Sequence, residues 1–369
     1  MIYLDHSATS LPKHPKLNEW MNENNHSAST GRSGYGLAID ASRLVYDSRC
    51  EIARLLNLKD ERGIIFTNNA TMSLNFAIQG LCRDEKKKAL CSSLEHNAVM
   101  RNFHALEKTG QLEWSQIRED NDFYESLEKE ISEEIDFVVV SHVDNVTGRR
   151  LNLQRISEIV KKHQCILIID AAQSFGCEPI DMNGIDILCA SAHKGLKGPM
   201  GLGILAIQDN VKLPHIFNGG TGSSSNSLEM PEDYPDTLEV GTLNVPAIIA
   251  TGKICQSLSE QTLENYQSQL QERRSFLIKE LNTIGDKVVT HSPEIGGTAV
   301  SIDIPGKDLA NIAHTAWKEY GICVRVGLHC APFSHTNLGT FPNGTLRISP
   351  SYETKLNDLK IFTDFIKSL

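Results

Sequence analysis

The chain has 369 residues, room for about two units of ordinary domain size. Apolar residues make up 40% and charged residues 22%, which excludes global disorder; 36 basic against 46 acidic residues (net −10) excludes a protein built to coat nucleic acid or anionic membrane. No apolar run reaches membrane-helix length, and the start, MIYLDHSATSLPKH, lacks the basic and apolar segments of a secretion signal, so a cytoplasmic protein is expected.

From about residue 37 to 207, helical patterns alternate with short apolar runs. Ala41, Leu44, Val45, Ile52, Leu55 and Leu56 recur at helical spacing, and GIIF then reads as a buried strand. Residues 71–82 are helical and ALCSSL is strand-like. Residues 97–108 form another helix, with Gly110 placed to stop it. LEWSQI, DFVVVSHV, CILIID and DILCASA are further strands, with an amphipathic helix at 153–162. This alternation predicts an α/β domain with a largely parallel sheet. FVVV and ILII lack polar alternation, as central strands buried on both faces do.

NGGTGSSSNS, residues 218–227, opens a loop that runs to about Pro246; loops this long inside compact proteins are mostly functional. A helical pattern follows at 248–281. The remainder reads as a smaller α+β unit: TAVSIDI as strand, 307–320 as helix, ICVRV and LRIS as strands, and a last helix to Leu369.

Nine cysteines are dispersed, odd in number and without a C-x-x-C pair. That pattern fits neither a zinc or iron–sulfur ligand set nor a disulfide framework, and no metal is expected. Most, such as Cys165 in QCILII and Cys189 in DILCASA, sit where cysteine packs as a small hydrophobe.

The chemistry concentrates in IIDAAQSFG and ASAHKGLKGPMGLG. Asp170 ends an apolar strand, where open α/β sheets present ligand groups. Lys194 follows the next strand inside Gly-rich flanks, poorly solvated and therefore able to form an imine with a carbonyl. Taken singly, Asp170 reads as a helix cap and Lys194 as a solvated loop residue. Together they are what pyridoxal 5'-phosphate requires: a lysine for its aldehyde and a carboxylate to keep its pyridine nitrogen protonated.

DAAQS, SAHKGLKGPMGLG and VRVGLHCAP together resemble the class V aminotransferase family of pyridoxal-phosphate enzymes, and within it the cysteine desulfurases. The resemblance runs from YLDHSATS to LRISPS. It implies a fold-type I architecture: a large α/β domain over 16–250 with a mostly parallel central sheet, and a small α+β domain from 1–15 and 251–369. It also implies a homodimer with active sites at its interface.

The resemblance assigns the site residue by residue. Lys194 is similar to the lysine that carries the cofactor, Asp170 to the carboxylate under its pyridine nitrogen, and Gln173 to the partner of its phenolic oxygen. His96, in SLEHNA, resembles the histidine stacked on the ring; without the resemblance it is equally a residue at the start of a helix. Thr71, Ser191 and His193 resemble phosphate ligands, although Thr71 alone reads as easily as an N-cap. Thr242, in EVGTLN, resembles the residue that reaches the phosphate from the other subunit. Arg347 resembles the arginine that pairs with the substrate α-carboxylate, Arg325 a second active-site arginine, and Asn145 an asparagine near cofactor and substrate. GRSGYG, with Arg32, is expected to line the entrance.

Cys330, in GLHCAPFSH, stands outside any apolar pattern and near Arg325; cationic neighbours favour the nucleophilic thiolate. Its motif resembles that of the group II cysteine desulfurases, which carry the sulfur-accepting cysteine on a short, ordered loop. The implied reaction converts L-cysteine to L-alanine and leaves a persulfide on Cys330, with Lys194 moving the Cα proton and His96 serving the substrate thiol. Met72, SAHK and APFSHTNLG depart from the commoner pattern. Selenocysteine lyase and cysteine or cystine C–S lyase therefore stay open, as does a catalytically inactive docking scaffold. A sulfur-acceptor protein is a further expected partner; nucleic acid and membrane are not. GRSGYG follows no strand and has the wrong spacing for a nucleotide-binding turn.

Overall fold

A computed structural model describes residues 1–30, 34–118 and 122–369; Gly31 and Arg32 of the expected entrance loop lie outside the described residues. In chain order the strands are β1 (Ile2–Tyr3), β2 (Ile64–Thr67), β3 (Lys87–Cys91), β4 (Leu112–Gln116), β5 (Phe137–Ser141), β6 (Ile166–Asp170) and β7 (Ile187–Ser191). They continue with β8 (Gly203–Ile207), β9 (Val289–Thr290), β10 (Val300–Asp303), β11 (Ile322–Cys323), β12 (Arg325–Gly327) and β13 (Thr345–Ile348). The main sheet has the order β2-β8-β7-β6-β5-β3-β4, parallel throughout except for β8, which runs against both its neighbours.

The uninterrupted apolar strands are buried on both faces, as expected. Alternate side chains feed two separate cores: Val138, Val140, Leu167 and Ile169 pack with helices Gly36–Leu56 and Val245–Gln256. Phe137, Val139 and Ile168 pack on the other side with Phe103 and Leu74, from helices Asn97–Lys108 and Ala70–Leu81. Among the described residues, no helix is long and apolar enough to cross a membrane.

A third core unites the two chain ends. Leu4 packs with Leu277, Val300, Ile302, Leu346 and Phe362. Strand β1 pairs in parallel with β11, while β12-β13-β10-β9 forms an antiparallel sheet. ICVRV is thus two strands in two sheets, separated at Val324, where the sequence pattern reads one.

Three further differences from the sequence reading have local causes. Strand β8 was hidden inside a Gly-rich motif. There Gly203 is required by packing, since a Cβ would stand 2.4 Å from the Thr67 hydroxyl oxygen and from the Asn69 carbonyl carbon. The long helix expected at 248–281 is two helices, Val245–Gln256 and Glu260–Asn282. Ser259 starts the second by accepting the Thr262 N–H. Short helices at Leu17–Glu23, Phe123–Glu130 and Pro332–Asn337 are additional.

The loop from 218 to 244 has no helix or strand but is anchored. Its buried Glu239 pairs with Arg49 and accepts the Phe66 N–H at 2.7 Å, which fixes the loop beside β2.

Candidate active site

Strands β3, β5, β6 and β7 open at their carboxyl ends into one cleft. It is lined by Asn69, Thr71, His96, Ser141, Asn145, Asp170, Gln173, Ser191, His193 and Lys194. The cleft lies where the strand order reverses: the chain steps outward from β3 to β4, and the opposite way from β5 to β6 to β7. Such a switch point leaves a crevice between diverging connections. A wider groove elsewhere, around Arg150, Gln154 and Asp181, contains none of the candidate site residues.

Lys194 follows β7 by three residues, and its amine has no hydrogen-bond or ion-pair partner among the described residues. Burial lowers its pKa to about 8; Asp170 opposes that shift, and Arg347 and Arg325 add to it. Asp170 ends β6, is buried, and accepts the Ala172 N–H at 2.8 Å. No helix begins there, so it is not a helix cap. Burial raises its carboxyl pKa, against the Ala172 N–H and Lys194. Gln173 donates to the Ser7 carbonyl at 3.0 Å and ties the chain start across the cleft.

His96 both starts a helix and lines the cleft. It is the N-cap of helix Asn97–Lys108, with Nδ1 accepting the Ala98 N–H at 3.0 Å, and its ring lines the cleft. Burial lowers its pKa to about 4, and Lys194 pushes the same way, so the ring is neutral at pH 7.

The opposite end of the cleft suits an anion. Thr71 is the second residue of helix Ala70–Leu81, while the N-cap is Asn69, whose side chain accepts the Met72 N–H at 2.9 Å. The N–H groups of Ala70 and Thr71 therefore remain for a ligand at the positive end of the helix. The Ser191 hydroxyl is buried at the same cleft and has no partner among the described residues. His193 bonds the Thr9 hydroxyl through Nδ1 at 3.0 Å, and burial lowers its pKa to about 4. Thr242 is exposed and does not line the cleft of its own chain.

Arg347, on β13, is fully buried. Its Nη1 donates to the Asn145 carbonyl at 2.8 Å and its Nη2 to Asp5 at 2.9 Å. Arg325, on β12, stands directly opposite it in the antiparallel register, so both side chains leave the same face.

Cys330 is the one exposed cysteine of the nine. His329 and Cys330 both have positive φ, 48° and 60°, and the Ala331 N–H returns to the Leu328 carbonyl at 2.8 Å. This is a tight turn, not a long arm. Two donors pin it: the Asn145 side chain on the His329 carbonyl at 2.7 Å, and the Asn97 N–H on the Cys330 carbonyl at 2.8 Å. The residues after it, expected as loop, begin helix Pro332–Asn337.

Sequence reasoning missed Asn69, Ser141, Glu95 and Asp5. Asn69 was findable, since an asparagine before a helical run is a cap signal. Ser141 follows from the strand period. Glu95 and Asp5 were not findable: the Arg347 contact to Asp5 spans 342 residues.

The sequence profile of the aminotransferase class-V family matches residues 2–362. A probable cysteine desulfurase of Methanothermobacter thermautotrophicus is 26% identical over 100% of this chain and 94% of its own length. One of Haemophilus influenzae is 28% identical over 100% of this chain and 86% of its own. The apo structure of a cysteine desulfurase from Thermococcus onnurineus NA1 superposes with a TM-score of 0.90 at 26% identity, covering 100% of this chain and 94% of that one. The chain belongs to the aminotransferase class-V family.

Proposed function

We propose, from that membership, that the protein is a pyridoxal-phosphate-dependent cysteine desulfurase. L-cysteine becomes L-alanine, and its sulfur passes to Cys330 as a persulfide. One observation carries the reading. A single cleft holds the Lys194 amine and buried Asp170, and the turn that bears exposed Cys330 is pinned by Asn145, which lines that cleft, and by the N–H of Asn97, next to His96.

The residues present fit the cofactor. The unpartnered Ser191 hydroxyl, the open N–H groups of Ala70 and Thr71, and His193 suit its phosphate. Asp170 suits the ring nitrogen, Gln173 the phenolic oxygen, His96 the ring face and Lys194 the aldehyde. When bound, the cofactor supplies an electron sink for the bonds broken at Cα and Cβ of the substrate.

The protein's own groups do the rest. Arg347 and Arg325 receive the substrate carboxylate, and Asn145 holds both Arg347 and the Cys330 turn in place. Lys194, with its lowered pKa, accepts the Cα proton near neutral pH. The neutral His96 accepts the substrate thiol proton. The Cys330 thiolate attacks the substrate sulfur; the new S–S bond forms as the C–S bond breaks. Protons returned to the carbon skeleton complete L-alanine, so L-cysteine plus the Cys330 thiol gives L-alanine plus the Cys330 persulfide.

A homodimer gives exposed Thr242 its use, reaching the phosphate of the partner's cleft. Supporting this, Leu37, Ile39 and Tyr46 leave apolar surface exposed on helix Gly36–Leu56, which packs on the helix that follows Thr242. The persulfide then awaits a thiol-bearing acceptor.

The test is an absorbance spectrum of the purified protein with pyridoxal phosphate, followed by L-cysteine and an alanine assay. Alanine release that needs Cys330, lost in C330S while the cofactor band stays, supports the reading. Pyruvate and ammonia in place of alanine would make the protein a lyase, and absence of a cofactor band after reconstitution would end the enzyme reading.

A further inference from the structure

The turn that carries Cys330 is held through the residue before it. His329 is buried, and its two ends meet different segments of the chain. Its carbonyl accepts the Asn145 side-chain N–H at 2.7 Å, from the segment that leaves β5. Its ring Nε2 stands 3.1 Å from the Thr345 carbonyl on β13; a carbonyl only accepts, so Nε2 carries the ring proton and donates. Burial lowers the ring pKa to about 2, with Arg347 pushing the same way, so this neutral form persists.

These contacts close a circuit. The Thr345 hydroxyl donates to the Ser301 hydroxyl at 3.0 Å, and Ser301 donates to the Val146 carbonyl at 2.7 Å, one residue on from Asn145. Ser301 and Thr345 are fully buried on the paired strands β10 and β13, where no solvent replaces a lost bond. The circuit runs through the turn where His329 and Cys330 both hold a positive φ, a backbone region that L side chains avoid. A conformation of that kind persists only where its surroundings over-determine it. The bond from Arg347 to the Asn145 carbonyl lies outside the circuit, so the proposed carboxylate anchor does not depend on the His329 ring.

We propose that His329 is a positioning residue for sulfur transfer: its ring, bonded to Thr345, holds the Cys330 turn in the left-handed form in which the thiol takes up sulfur. Loss of the ring bond frees the turn to relax toward negative φ and displaces the thiol, while Lys194, Asp170 and Arg347 keep their places. The inference rests on the proposed function, in that Cys330 is taken to receive the substrate sulfur.

The experiment gives L-cysteine to cofactor-loaded protein without any sulfur acceptor, so that each chain releases one alanine as Cys330 fills. The maximal rate of that first turnover is measured beside the affinity for L-alanine, read from the change in the cofactor absorbance. In H329N the new amide tolerates positive φ but is too short to reach Thr345; the maximal rate should fall by about tenfold or more, with L-alanine affinity held within about twofold. H329Q, whose longer amide can donate to the same carbonyl, should stay within about threefold of the wild-type rate. H329A replaces H329N where H329N does not fold. H329N at the wild-type rate overturns the proposal, since the backbone preference of the turn would then suffice. So does H329Q as slow as H329N, and so does an equal loss of rate and of L-alanine affinity, which marks a general loss of site structure. A wild type that forms no alanine from L-cysteine, or forms it equally in C330S, overturns the proposed function, and this inference with it.

Discussion

The carbonyl of Cys330 accepts a hydrogen bond from the N–H of Asn97, 2.8 Å away, so the turn bearing the exposed thiol is tied to the start of the helix capped by His96. The tie joins the second half of the chain to the first at the cleft itself. It holds the backbone of the thiol-bearing turn against the residue that follows the histidine whose ring lines the site, with little backbone freedom left to lose on reaction.

Because Cys330 alone is exposed, brief alkylation with iodoacetamide should label close to one thiol per chain, at Cys330, before any other cysteine reacts. Peptide mass spectrometry of the wild type and C330S checks this. Early labelling at Cys50 or Cys323, which are half-buried, would contradict the ordering of exposure.

Capture of pyridoxal phosphate should depend on pH through Lys194. The neutral amine attacks the aldehyde, and its pKa is lowered to about 8, first by burial and then by Arg347 and Arg325. The rate of cofactor uptake by cofactor-free protein, followed by stopped-flow absorbance, should rise with pH and level off above about 8. In D170N the stabilising carboxylate is gone and the levelling should move to lower pH.

Glu95 should make stability fall as pH rises. Its carboxylate is fully buried, and burial raises its pKa from 4.5 to about 7 despite hydrogen bonds from Ser92 and Ser141; Asp170 pushes the same way. The folded state thus binds the proton more tightly than the unfolded chain. The contribution is fully present below pH 4.5 and is lost as pH climbs through about 7. Thermal unfolding between pH 5 and 8 should show a decline in the wild type that is reduced in E95Q, which keeps the shape and removes the titration.

R347K should damage substrate affinity and leave cofactor binding intact. A lysine can replace one of the donors to Asn145 and Asp5 but cannot present a planar fork to a carboxylate. KM for L-cysteine should rise by about tenfold or more, the worth of one charge-assisted hydrogen bond. An unchanged KM would remove Arg347 from substrate recognition.

The sequence by itself determined the α/β alternation of the first half of the chain and the strand-end positions of Asp170 and Lys194. Apolar runs such as FVVV marked buried parallel strands because a strand covered on both faces admits no polar alternation. Asp170 and Lys194 were legible because each follows directly from the end of such a strand, a local relation that survives in one dimension. The resemblance added the residues expected at a phosphate, a ring and a reactive thiol through short contiguous motifs.

Only the tertiary structure decided what depends on contacts between distant segments. Strand β8 reads as part of a glycine-rich loop until it inserts antiparallel between β2 and β7. Asp5 has no helical or strand period to betray it, and it meets Arg347 only because the first strand and the last core strand share one small hydrophobic core. Glu95 looks like a solvated charge beside a histidine, yet burial makes it an internal acid, against the three hydrogen bonds it accepts. Local pattern fixes which residues leave a strand end together; the electrostatic environment they meet there is set by whichever remote segments pack against them.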